Sequence, residues 1–146
     1  MAAIPIEIKT IPGHEASAIV NPFYQSQSGK ALARDTDLFF IAFKNTEVVG
    51  AVRFCEEENT SMLRSMMIRE DQRRHGIGRL LLQEFQSYLN KNHIRDTYCL
   101  PYGHLGAFYG AIGFKTIDES FAPKFLQERL KEYRKKPESF LCMLRL

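Results

Sequence analysis

The sequence predicts a mixed α/β domain. Three features carry that expectation: short β-rich runs between residues 38 and 68, a change of hydrophobic period from two to about 3.6 at Gly76, and strand-like and helix-like segments alternating from there to the C-terminus. The first strand is expected over Ile4–Ile8, where apolar and polar or proline positions alternate before Pro12 and Gly13. Residues Glu15–Arg34 have a composition that allows one or two helices, broken around Asn21, Pro22 and Gly29. Leu38–Phe43 and Val48–Phe54 read as strands joined by the hairpin loop Lys44-Asn45-Thr46-Glu47. A third run, Met62–Ile68, follows the acidic turn Glu56-Glu57-Glu58-Asn59 and completes an antiparallel meander.

From Gly76, residues Ile77, Leu81, Phe85 and Tyr88 fall on one helical face. Thr97–Leu100 is β-like, Leu105–Ile112 reads as a short helix ended by Gly113, and Phe114–Ile117 as another strand. Ala122–Lys135 has helical spacing at Phe125, Leu130 and Tyr133, and Phe140–Leu146 closes the chain as a strand. The 146 residues, 45% apolar and 25% charged, suit a single domain spanning 1–146.

Composition narrows the function. The net charge of +3 is gathered around Arg64–Arg79 and Lys124–Lys136 without a long basic run, which favours an anionic ligand over nucleic acid. Cys55, Cys99 and Cys142 are odd in number and lack CxxC spacing, so neither a disulfide framework nor a zinc site is expected, and a reducing, cytoplasmic setting is. His14, His75 and His93 are too scattered to imply a metal. No basic segment with a long apolar stretch opens the chain and no run approaches the roughly 20 residues of a membrane span, so no membrane association is expected.

The chemistry concentrates in the stretch from Met66, Met67 and Ile68 through Arg73-Arg74-His75-Gly76-Ile77-Gly78-Arg79, a strand running through a basic glycine loop into an amphipathic helix. Such a junction gathers unpaired N–H groups and the positive end of a helix dipole, so it is an anion site before any side chain is counted. Gly76 and Gly78 would let the backbone approach a phosphate without Cβ interference. A plain strand-to-helix turn explains two glycines equally well on their own. A Walker A loop is excluded because Arg79 and Leu80 follow Gly78, and a dinucleotide fingerprint fits poorly after a hairpin meander.

Arg73-Arg74-His75-Gly76-Ile77-Gly78 resembles the R/Q-x-x-G-x-G/A signature of GNAT acyltransferases. About thirty residues later, Ala107-Phe108-Tyr109-Gly110-Ala111-Ile112-Gly113-Phe114 is similar to that superfamily's a-x-x-x-Y-x-x-x-G-F segment. The resemblance implies a GNAT-like acyl-CoA N-acyltransferase fold with a mixed, mostly antiparallel sheet splayed between its fourth and fifth strands, Met62–Ile68 and Thr97–Leu100. It implies acetyl-CoA as co-substrate, with pantetheine along the backbone of Met66 and Ile68 and pyrophosphate on the amides of Arg74 to Arg79. An acceptor primary amine, of a small molecule or peptide, would enter from the opposite side. The alternative within the same resemblance is an acyl-CoA-binding sensor or interaction domain without catalysis.

By its match to the motif tyrosine, Tyr109 is expected to protonate the departing thiolate; otherwise it is an aromatic packing residue. The general base is open. Relatives commonly place a glutamate on the fourth strand, and this chain has Met62, Leu63, Arg64, Ser65, Met66 and Met67 there. Glu56, Glu57 and Glu58 could act through water or be a solvated turn. Arg64 would suit an acceptor carrying a carboxylate or phosphate, or simply reach solvent. His104 could relay protons, and Tyr102 stands about where relatives carry a cofactor-touching asparagine. Phe23 and Tyr24 would cover the acceptor cleft or pack the core. The basic helix Ala122–Lys135 reads as a solvated face, with homodimer contacts or acceptor selection as its other roles.

Overall fold

The computed structural model describes residues 4–27, 29 and 33–146. Within the segment Glu15–Arg34, the expectations for residues 28 and 30–32 lie outside the described residues, as do residues 1–3 of the N-terminus. Seven strands form one sheet in the order β1-β2-β3-β4-β5-β7-β6. They are β1 (Ile6–Pro12), β2 (Leu38–Lys44), β3 (Glu47–Glu57), β4 (Thr60–Ile68), β5 (Thr97–Cys99), β6 (Lys115–Thr116) and β7 (Met143–Arg145). The helices are α1 (Gly13–Ser26), α2 (Ile77–Lys91), α3 (Gly106–Gly110) and α4 (Lys124–Tyr133). Every pairing is antiparallel except β4 with β5.

Side-chain alternation along the meander sorts the core onto two faces. Phe40, Val52, Phe54 and Leu63 pack beneath Leu81, Phe85 and Leu89 of α2, with Tyr109, Ile112 and Phe114 joining the same layer. Phe39, Ile41 and Ala51 face Ala16, Val20, Phe23 and Tyr24 of α1 on the other side. Further along that second face, Cys55 and Met62 meet Leu126 and Leu130 of α4. The three cysteines are free and buried.

The structure differs from the sequence expectation most at four places. The first strand is displaced to Ile6–Pro12, where it pairs along the whole of β2. The expected break at Asn21 and Pro22 is absent: α1 runs through Pro22. A proline removes one helical hydrogen bond and crowds the preceding turn, yet the buried face of Ala16, Val20, Phe23 and Tyr24 holds the helix against the sheet. Leu105–Ile112 divides into a 3₁₀ turn over Gly103–Leu105 and the short α3, which ends at Gly110; the left-handed Gly113, φ +99°, follows in the turn beyond it instead of capping the helix. The closing strand is confined to Met143–Arg145, the part that finds partners in β5 and β6.

Candidate functional site

Strands β4 and β5 begin side by side and then part. Their pairing covers only Ser61 with Thr97 and Met62 with Tyr98. Beyond it β5 stops at Cys99 while β4 continues to Ile68. The divergence has a local cause. Between the pairs Ala51–Met67 and Arg53–Arg64, β4 holds one more residue than β3, and Ser65 lies at a φ of +59°. A bulge of this kind bends its strand. The Tyr24 hydroxyl of α1 donates to the Ser65 carbonyl at 2.6 Å and pins the bulge. Burial pushes that phenol well above its ordinary pKa, so it stays a donor throughout the physiological range.

The gap opened by the splay is a cavity of about 1120 Å³. Of the residues singled out from the sequence, it gathers Met66, Met67 and Ile68 of β4, Arg73, Arg74, Gly76, Ile77, Gly78 and Arg79 of the loop and α2, and Tyr109, Tyr24, Arg64 and His104. Of the basic loop, His75 stays out of the lining and is exposed, and Phe23 of α1 lies in the core. Arg53, Gln72, Phe108, Tyr133, Lys136 and Phe140 also border the cavity and were not read as site residues from the sequence. Arg53 had left a signal, a single charge inside the otherwise apolar run Val49–Phe54. Tyr133 left none, since it arrives through the packing of α4, and Lys136 had been read only with the basic C-terminal helix, for which acceptor selection was one alternative to a solvated face.

At one end of the cavity the backbone is arranged for an anion. Among the described residues, no N–H from Arg74 to Arg79 donates to a carbonyl or side chain, and the first turn closes only at Leu80, whose N–H reaches Gly76 O at 3.1 Å. Gly76 precedes α2 as an uncapped left-handed residue with φ of +81°, and Arg74 is also left-handed at +67°. Left-handed residues next to a helix start form concavities of free amides, and the α2 dipole adds positive potential. A non-glycine residue at positive φ is an uncommon, mildly strained state. The Arg73 Nε donates to the Ile68 carbonyl at 3.1 Å and so lies along the splayed edge of β4.

The two glycines have different tasks, contrary to the shared one expected for them. A Cβ on Gly76 would meet nothing within 4 Å, so its role is conformational. A Cβ on Gly78 would stand 2.9 Å from Phe108 Cζ, so there the glycine admits an aromatic ring of α3 against α2.

Tyr109 is 5% exposed and packed edge-on against Phe108 and Phe114 at centroid distances of 4.9 and 6.3 Å. Burial, with a lesser contribution from Cys99, raises its pKa well beyond the ordinary phenol value. Its hydroxyl makes no hydrogen bond among the described residues. His104 is exposed and stacks on Tyr102, which packs in turn on Phe140.

The acidic turn does not reach the cavity: neither Glu56, Glu57 nor Glu58 borders it. Glu57 is locked instead between Arg64, at 2.6 Å, and Arg129. Burial alone would raise its pKa, but the hydrogen bonds and charges of Arg129 and Arg64 outweigh burial and hold the carboxyl below the usual range. Among the described residues, the lining holds Arg53, Arg64, Arg73, Arg74, Arg79 and Lys136 and no aspartate or glutamate. The described residues contain no cluster of three or more metal-ligating side chains. No helix among them is long and apolar enough to cross a membrane.

A family model described as an acetyltransferase (GNAT) domain matches residues 9–128. The chain belongs to the GNAT acetyltransferase family. Solved structures agree on this GNAT fold at low identity. Escherichia coli ElaA matches with a TM-score of 0.70 and 16% identity over 97% of this chain and 100% of its own. The PaiA N-acetyltransferase of Thermoplasma acidophilum, solved in complex with coenzyme A, matches at 0.61 and 16% over 97% and 98%. N-acetylglutamate synthase of Neisseria gonorrhoeae, complexed with coenzyme A and N-acetyl-glutamate, matches at 0.64 and 16% over 99% of this chain, which spans only 35% of that enzyme. No curated protein matches the sequence. The sheet that parts after its parallel β4–β5 pair is thus the GNAT architecture, and the family points to acyl transfer as the general activity.

Proposed function

We propose that residues 1–146 form one acetyl-CoA-dependent N-acetyltransferase domain that acylates a primary amine of a small molecule or peptide by direct attack in a ternary complex. The observation that carries this reading is the run of unpartnered amides from Arg74 to Arg79, opening onto the same cavity as Tyr109. A row of free N–H groups at a helix start suits a pyrophosphate, and PaiA and N-acetylglutamate synthase were both solved with coenzyme A. Pantetheine would lie along β4 as an added strand, bonded to the backbone of Met66 and Ile68. Arg73 would then leave the Ile68 carbonyl and turn toward the phosphates.

The amine nitrogen attacks the thioester carbonyl and the C–S bond breaks; the Tyr109 hydroxyl donates a hydrogen bond to the departing thiolate, while the proton the amine gives up passes through water and ends on the sulfur. A reference thiol has a pKa near 8.5, below that of the buried Tyr109 phenol. Full proton transfer is therefore uphill, and the hydroxyl acts mainly by donating a strengthening hydrogen bond to the developing thiolate. Glu57 is not the base, because its carboxylate is bound by two arginines and lies outside the cavity. A cytoplasmic setting suits both the co-substrate and the three free thiols.

The test is differential stabilisation. Acetyl-CoA or CoA at 100 times its dissociation constant should stabilise the folded state by about 2.7 kcal/mol, and ATP or NAD at the same concentration by much less. Equal stabilisation by NAD would remove the cofactor assignment. Thiol release that requires an added amine separates the transferase from a sensor that only binds.

A further inference from the structure

Register places two arginines side by side on the wall of the cavity. Arg53 and Arg64 are directly opposed across β3 and β4, and cross-strand partners share one face of a sheet. That face is the one covered by α1 and α4, as Ala51 and Cys55 flanking Arg53 pack against those helices. Like charges directly opposed destabilise a sheet, so an unbroken apolar pair would be the stable choice at this position. The chain instead holds both charges in place from behind. Asp37, with a fully buried side chain, accepts from Arg53 at 3.0 Å, and Glu57 accepts from Arg64 at 2.6 Å.

Neither Asp37 nor Glu57 borders the cavity, whereas Arg53 and Arg64 do. Tyr133 lies against Arg64, and Lys136, exposed beyond α4, sits over the Tyr133 ring at 5.6 Å; both border the same cavity. Glu57 is itself outnumbered, being shared between Arg64 and Arg129. A cavity with cations on this wall and no acidic lining among the described residues repels a polyamine or aminoglycoside and attracts a molecule with negative charge.

We infer that the acceptor is a primary amine carrying its own anionic group, a carboxylate or phosphate, which Arg64 and Lys136 bind while the amine faces the thioester. This deepens the proposed transferase reading and rests on it. Guanidinium offers planar, paired donors that match either anion.

The experiment is thiol release from acetyl-CoA with matched acceptors: amino acids against their carboxamides, O-phosphoethanolamine against ethanolamine, and putrescine and spermidine as cations. Anionic acceptors should exceed their neutral isosteres by about tenfold or more in kcat/KM, in keeping with a charge-assisted hydrogen bond. The amino-acid and phosphate arms tell which anion is taken. Arg64→Gln and Lys136→Gln should each raise KM for the preferred anionic acceptor roughly tenfold, a larger rise than for its neutral isostere and with CoA affinity nearly unchanged, and Arg64→Lys should recover part of the loss. Lys136 is exposed, so its variant folds irrespective of the buried network. Neutral or cationic amines used equally well, or variants with unchanged KM, overturn the inference and leave the transferase standing. Thiol release with no amine of any charge, while acetyl-CoA binds, removes the transferase reading and the inference together.

Discussion

Replacing Gly78 by alanine tests whether that glycine serves the packing of α3 against α2 or the approach of a phosphate. The new methyl would stand 2.9 Å from Phe108 Cζ and 3.2 Å from Cε1, against a relaxed carbon contact of about 3.5–4.0 Å. The ring must give way by close to an ångström, and its other side is occupied by Tyr109 at 4.9 Å between centroids. The half-buried ring borders the cavity, so the open direction is into the space assigned to the cofactor. Overpacking costs about 1–3 kcal/mol, while alanine in a helical turn returns up to about 1 kcal/mol over glycine, leaving a net loss of roughly 0–2 kcal/mol. For 146 residues the unfolding entropy is about 0.3 kcal/mol per degree, so the expected fall in Tm is about 0–7 °C. CoA affinity should fall by about tenfold as the ring crowds the cleft, a loss near 1.4 kcal/mol. Phe108→Leu removes the clashing ring. In that background Gly78→Ala should lose most of both effects, measured by urea denaturation and calorimetric CoA titration of the four proteins. Equal penalties in both backgrounds would refute the packing explanation and return Gly78 to the phosphate.

Gly76→Ala meets no atom but must keep φ at +81°, so thermal denaturation should show a loss of about 1–2 kcal/mol, with Gly76→Asn milder. Tyr109→Phe should lower single-turnover acyl transfer by about 10²- to 10⁴-fold with little change in CoA affinity. Because burial raises the Tyr109 pKa, any alkaline fall in rate that it causes lies above pH 10, and a limb near pH 8–9 abolished by the Phe variant would contradict its placement. The Glu57 pKa is lowered in the folded state, so its stabilising contribution is present above the unfolded value of about 4.3 and is lost as pH falls through the folded one; urea midpoints between pH 3 and 6 should show that loss, and Glu57→Gln should diminish it.

The order of strands and helices was legible because each depends on local patterning: the hairpin at Asn45, the helical face of Ile77, Leu81 and Phe85, and the left-handed turn at Gly113. The anion loop was legible for the same reason, since its amides are neighbours in the chain. What escaped the sequence depends on partners far along it. Pro22 predicts a break, and only the sheet beneath Val20 and Tyr24 overrides it. The bulge at Ser65, which opens the site, appears only in the register of β4 against β3. Glu57 read as a solvated acid and proved to be a brace, because Arg129 comes to it from 72 residues away.

The absence of a carboxylate from the cavity lining among the described residues bears on how an amine there becomes nucleophilic. An amine of pKa near 8 is already partly neutral at pH 7.5, whereas a lysine-like amine near 10.4 is neutral only about one part in a thousand. At an effective dielectric of 20, a like charge about 8 Å away disfavours the ammonium by about 2 kcal/mol, or roughly 1.5 pKa units. In an anionic amine, the carboxylate or phosphate ordinarily stabilises its own ammonium. Binding that anion to Arg64 cancels this stabilisation just as the remaining cations begin to repel the proton. The same charges that select such an acceptor therefore deprotonate it, and water is a sufficient carrier for the proton. A glutamate on β4, in place of Arg64, would instead accept the proton directly and attract cationic amines. On the proposed reading, the arginine at that position would set acceptor charge and deprotonation route together, and a pH profile whose acidic limb follows the acceptor's own amine, shifted downward, is the signature that an enzyme-borne base would not give.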